Sequence, residues 1–163
     1  MGPRPLLDLG IRLAICAGAG SELVHELYAL HARQWELEDR TRHARATAGQ
    51  VAAAKHDIDA SNSHRHQLID QIDEQVPRSA AAQRLYSETV GELVDRLVIL
   101  DLKHRALRRR QDATALTAIE HLHGHLADLV DTLLLDLEAG QARLPPRFGV
   151  KIYPQRRDPG AAA

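Results

Sequence analysis

Apolar residues recur at three- and four-residue spacing along most of this chain, the repeat of an amphipathic helix. Four helices are predicted, over 21–48, 50–75, 87–110 and 113–139. Gly18-Ala19-Gly20 is a break, Ser21 is a helix N-cap residue and Glu22 falls in the first turn. No proline occurs between Ser21 and Val76, so the first two helices divide at Gly49 or run through it. Pro77-Arg78-Ser79 ends that unit, and Ser87 with Glu88 opens the third helix. A short joint at Gln111-Asp112 leads to the fourth. Gly140 then supplies a C-cap and Pro145-Pro146 block continuation. The expected fold is all-α: an antiparallel four-helix bundle over 21–140. An N-terminal segment (1–20) precedes it and an irregular tail (141–163) follows. The one segment at strand period is the short Val150-Lys151-Ile152-Tyr153.

The stripes are not clean. On the first helix Leu23, Leu27, Leu30 and Leu37 form one edge of the apolar face and Val24, Tyr28 and Trp35 the other. His31, Gln34 and Glu38 fall on or between them. On the second, Val51, Ile58, Ile69, Ile72 and Val76 define the stripe. Asn62 and Arg65 sit inside it, with Lys55, Asp59, His66 and Asp73 beside it. The third helix carries Val90, Leu93, Leu97, Leu100 and Leu107 on its main stripe. Glu88, Asp95 and Lys103 lie opposite, yet among Val98, Ile99 and Leu102. The fourth is expected to bury Leu122, Leu126, Leu129, Val130, Leu133 and Leu137. Polar groups on a packing face must be paired or cost about 1–3 kcal/mol each. Two readings follow. In one, Arg65 is neutralised by Glu38 or Asp95, and Asn62 bridges helices, as a purely structural network that fixes register. In the other, the same residues line a ligand or catalytic pocket.

Composition narrows the classes. Aromatics are 3% of the 163 residues, so the core is built from Leu, Ile, Val and Ala. The net charge of -1 leaves no electrostatic footprint for nucleic acid or an anionic membrane. Cys16 is the one cysteine, which excludes an intramolecular disulfide and fits a reducing cytosol. The apolar run near it is broken by Asp8 and Arg12, a poor match to a secretory signal, and no run reaches the ~18 residues of a membrane span.

Ten histidines invite a metal. Glu22-x-x-His25 and Glu120-x-x-His123 have the spacing of di-iron bundles, but Glu22, His25 and Glu120 fall off the apolar faces. His121 with His125 is expected on a solvated exterior, as are His64 and His66. No metal or cofactor is expected. Lys103, Arg105, Arg108, Arg109 and Arg110 end the third helix, where cations suit the helix dipole.

Three segments resemble a bacterial helical family known as domain of unknown function 4254. They are HARQWELED at 31–39, AKHDIDASN at 54–62 with Arg65 after it, and SETVGELVDRLVILDLK at 87–103. Val90 stands where the family pattern leads one to expect proline, and His66 where it leads one to expect asparagine. The resemblance spans 23–105 and largely coincides with the polar intrusions. It implies a helical fold and brings no activity with it.

The leading expectation is a cytoplasmic homodimer, joined through the apolar flank of the third helix around Val98 and Leu102. It would be an accessory or ligand-binding protein for an anionic small molecule, with no nucleic-acid or membrane partner. The expected site residues are His31, Trp35, Glu38, Lys55, Asp59, Asn62, Arg65, Glu88, Asp95, Arg96 and Lys103, with Arg65 and Lys103 drawing the anion. The rivals are a small cofactor-independent enzyme, with Glu38 or Asp95 and His31 as proton carriers, and a scaffold whose polar residues serve register alone.

Overall fold

The computed structural model describes residues 20–42, 46–79, 81–82 and 84–145. Four helices account for most of them: α1 (Gly20–Arg42), α2 (Ala48–Glu74), α3 (Val90–Arg110) and α4 (Ala113–Glu138). The fold is all-α, as the periodicity predicts. Cys16, the N-terminal apolar run and the short strand-period segment at 150–153 lie outside the described residues.

The helix starts differ from the sequence reading, for local reasons. α2 begins at Thr47, not at Gly49. The Thr47 hydroxyl accepts the Gln50 N–H, and the Gln50 side chain accepts the Thr47 N–H at 2.9 Å. This Thr-x-x-Gln capping box satisfies two otherwise orphaned donors, and Gly49 sits harmlessly in the first turn. α3 is opened by Thr89 with Glu92 in the same arrangement, not by Ser87 with Glu88. Val90 is then the first helical residue. That position has no partner for its N–H within the helix, which is why proline suits it.

The joint between α3 and α4 falls where expected. Gln111 closes α3 in the left-handed region (φ 57°), with its N–H turned to the carbonyls of Leu107 and Arg108, and Asp112 caps α4 through the Ala115 N–H. Gly140 (φ 67°) adopts the same conformation after α4 at no steric cost. Gln111→Gly is therefore expected to stabilise the fold by about 0.5–1 kcal/mol. A higher urea midpoint at unchanged slope would show it; a lower midpoint would mean that the glutamine side chain contributes more than its backbone costs.

α3 is the central helix. It packs against α1, α2 and α4, whereas the close neighbours of α4 are α3 and a small strand. One core joins Val24 and Leu27, Leu68 and Ile72, the buried residues of α3, and Leu126, Val130, Leu133 and Leu137. Val98 is completely buried and Leu102 packs against this core. Part of the apolar flank of α3 that motivated the dimer is thus packed within the chain itself, with Ile99 and Leu102 left partly exposed. α4 is rotated from its expected phase. Leu122 and Leu129 are 50% and 40% exposed, and His123, Ala127 and Leu134 take the buried arc. Among the described residues no helix is long and apolar enough to cross a membrane.

Two short strands, β1 (Arg84–Leu85) and β2 (Ala142–Arg143), pair in parallel. The sequence pattern did not announce them. Arg84 and the Tyr86 hydroxyl both hydrogen-bond Asp136 Oδ2, the latter at 2.9 Å, and so tie this segment to the end of α4. The Tyr86 hydrogen bond, more than the Arg84 charge, holds the Asp136 carboxyl below its ordinary value, although burial opposes it.

Candidate functional site

The polar intrusions meet at one place, between α1, α2 and α3. Asp95, 5% exposed, projects from α3 toward the other two helices. Its Oδ1 lies 2.7 Å from His31 Nε2 of α1 and 3.2 Å from Arg65 Nε of α2. His31 is as deeply buried as Asp95, and at 2.7 Å Nε2–H is best placed to donate to the carboxylate. One turn along α1, the Gln34 amide donates to Asn62 Oδ1 of α2 at 2.9 Å. The helical repeat explains the grouping. His31 and Gln34 share a row on α1, and Asn62 and Arg65 share the facing row on α2.

The two partners of Asp95 Oδ1 are not equivalent. The His31 bond has hydrogen-bond geometry. The Arg65 approach is an ion pair by distance only, and Arg65 Nε is buried with no hydrogen bond among the described residues. The Arg65 side chain remains 28% exposed, so the guanidinium reaches from the buried carboxylate toward the surface. Of the two acids expected to neutralise Arg65, Asp95 does so. Glu38 is part-exposed and pairs with Arg42 at 3.2 Å on its own helix.

Other sequence-predicted site residues lie apart. Lys55, Asp59 and Lys103 are exposed. Arg96 grips the Glu88 carboxylate with one nitrogen at 2.5 and 2.7 Å, along the outer side of α3. Trp35 is 36% exposed beside Gln34 in sequence. The structure therefore joins His31, Asn62, Arg65 and Asp95, with Gln34, and leaves the rest outside.

Several buried polar residues were not among the expected site residues. Asp73, only 1% exposed, accepts the Gly91 N–H at 2.7 Å and so caps the start of α3 from α2. His104 reaches Glu120 at 3.0 Å across the α3–α4 pair, and His123 is completely buried. The i,i+3 spacing of Asp101 and His104, directly below the α3 stripe, was the available signal. Asp101 is bonded by Arg105 at 2.8 Å, and the Arg105 guanidinium lies 4.9 Å from the Tyr28 ring centre. Burial raises the Tyr28 phenol above its ordinary value against the pull of Arg105, and the Asp101 charge and hydrogen bond reinforce the rise.

Among the described residues no group of three or more His, Cys, Asp or Glu side chains is arranged to hold a metal ion. The arrangement defines a class: a small all-α protein with a buried carboxylate shared by a histidine and an arginine from two other helices. Within that class, the family model described as Protein of unknown function (DUF4254) matches residues 21–145, and the chain belongs to that family. No curated protein and no solved structure matches the chain.

Proposed function

We propose that this protein is a small accessory protein that binds an anionic small molecule at Arg65, between α1 and α2. The observation that supports this is the state of Arg65. Among the described residues its Nε is buried without a hydrogen bond, Asp95 holds it by charge alone, and its outer end is open to solvent. An arginine so placed presents a planar fork suited to a carboxylate or phosphate. The Gln34–Asn62 amide pair, one turn away, adds neutral donors and acceptors. The enzyme reading has less support. Of its candidate proton carriers, His31 and Asp95 are buried and engaged with each other, and Glu38 is turned to Arg42.

One observation favours the structural reading. His31 with Asp95 and Gln34 with Asn62 satisfy one another across helices, as a register lock would. Thermal melts of wild type and Arg65→Met, with a panel of phosphate monoesters and di- and tricarboxylates, separate the two. Under the binding proposal some member of the panel stabilises the wild type. At a hundredfold excess over its dissociation constant the gain is about 2.7 kcal/mol, a shift of roughly 5–10 °C, and Arg65→Met abolishes it. If no anion shifts the wild type and Arg65→Met melts several degrees lower, the network serves structure alone.

A further inference from the structure

We infer that anion binding at Arg65 is coupled to proton uptake by His31, so that the site holds its ligand more tightly as pH falls. The inference rests on the binding role proposed above and concerns the regulation of that site.

The argument is charge balance in a confined space. With His31 neutral, the seam holds one carboxylate (Asp95) and one guanidinium (Arg65), and their charges cancel. An anion that arrives at Arg65 leaves the seam with net negative charge next to a buried carboxylate, which is costly in a poorly solvated site. One further positive charge removes that cost. Histidine is the side chain that supplies it near neutral pH, and His31 already sits 2.7 Å from Asp95. Protonated, His31 takes over the neutralisation of Asp95 Oδ1 and frees the guanidinium, which lacks a directed bond to that oxygen, for the ligand.

The remaining charged groups around His31 are occupied. From α3, Asp101 faces Tyr28, one turn along α1, and is bonded by Arg105. From α2, besides Arg65, His64 lies 3.1 Å from Glu26, and His66 follows Arg65 in sequence. On α1 itself Glu38 is turned to Arg42. Asp95, and Arg65 on the same carboxylate oxygen, are the charges the structure places at His31. Linkage makes the effect reciprocal: if a proton on His31 strengthens anion binding, the anion holds that proton by the same factor.

Sulfate is the probe, because it does not itself titrate in this range. Isothermal titration of the whole chain from about pH 5.5 to about pH 8.5, in buffers of different ionisation heat, reads affinity and protons together. The expected result is an affinity that falls by up to about tenfold per pH unit, with about one proton taken up per anion. His31→Gln keeps a donor for Asp95 and cannot be protonated. It should bind with the wild type's high-pH affinity, flat across pH, with no proton uptake. In wild type, the His31 ring resonances should titrate at higher pH when sulfate is present, a readout that needs no variant. Saturable, Arg65-dependent binding that is flat with pH, or a pH slope that survives in His31→Gln, overturns the coupling and leaves the anion site standing. Sulfate that binds at no pH overturns the coupling, and sulfate that binds equally to Arg65→Met overturns both.

Discussion

Asp95→Ala is expected to lower stability by about 3–5 kcal/mol, the cost of removing one partner from a buried charged set. For a chain of this size that is a fall in Tm of roughly 10 °C or more. The loss is large because two helices depend on one oxygen. Arg65 cannot shed its charge, and without Asp95 its Nε stays buried with nothing to offset it. His31 loses its 2.7 Å partner at the same time. Breaking the set and replacing it should differ. The triple substitution His31→Leu, Arg65→Met, Asp95→Leu removes all three polar groups together and should recover most of the loss, since apolar replacements carry no desolvation cost. Glu38→Gln, by contrast, touches a part-exposed surface pair and should stay within about 0.5 kcal/mol of wild type. Denaturant unfolding of the four proteins tests the assignment. An Asp95→Ala variant within about 1 kcal/mol of wild type would mean that water, not the helices, satisfies this site.

That contrast between Asp95 and Glu38 shows where the sequence was legible. The helical repeat placed both acids near the apolar face, and His31, Gln34, Asn62 and Arg65 with them. Phase says which side of a helix a residue occupies. It does not say which rows of two helices meet, because that register is set by the packing of the whole core. A part-exposed glutamate can swing to Arg42 on its own helix, whereas a short aspartate on the central helix cannot leave. The dimer expectation arose in the same way. Much of the apolar circumference of α3 is taken up by the three helices around it, so the pattern alone does not call for a second chain. α4 has leucines on several sides, so its own pattern does not fix its rotation, and Leu122 and Leu129 came out to solvent. The capping boxes at Thr47 and Thr89 were readable as Thr-x-x-Gln and Thr-x-x-Glu, but a glycine at 49 and a serine at 87 drew the boundaries away from them. The β1–β2 pair is two residues a side, too short for any period to register.

The second large effect is expected at Gly91, inside the segment that most resembles the family pattern. Here α2 and α3 approach so closely that an added Cβ would stand 2.4 Å from the Ile69 carbonyl oxygen and 3.0 Å from Ile69 Cγ2. The first obstacle is backbone, which cannot rotate away. The helices must therefore separate, and their separation pulls Asp73 from the Gly91 N–H that it caps at 2.7 Å. A buried carboxylate then loses a donor at the start of a helix, where the dipole also favours it. Gly91→Ala is expected to cost about 3 kcal/mol, the upper end for overpacking a single methyl group, and Gly91→Val more. Gly49→Ala and Gly124→Ala meet nothing within 4 Å and are the internal controls. Both should be neutral or stabilising by up to about 1 kcal/mol, since alanine is the better helix former. Asp73→Asn separates the two parts of the Gly91 effect, because it weakens the cap without moving the helices. It should cost less than Gly91→Ala. If Gly91→Ala unfolds at the same denaturant concentration as Gly49→Ala, the close approach of α2 and α3 is wrong, and with it the register that carries Arg65 to Asp95.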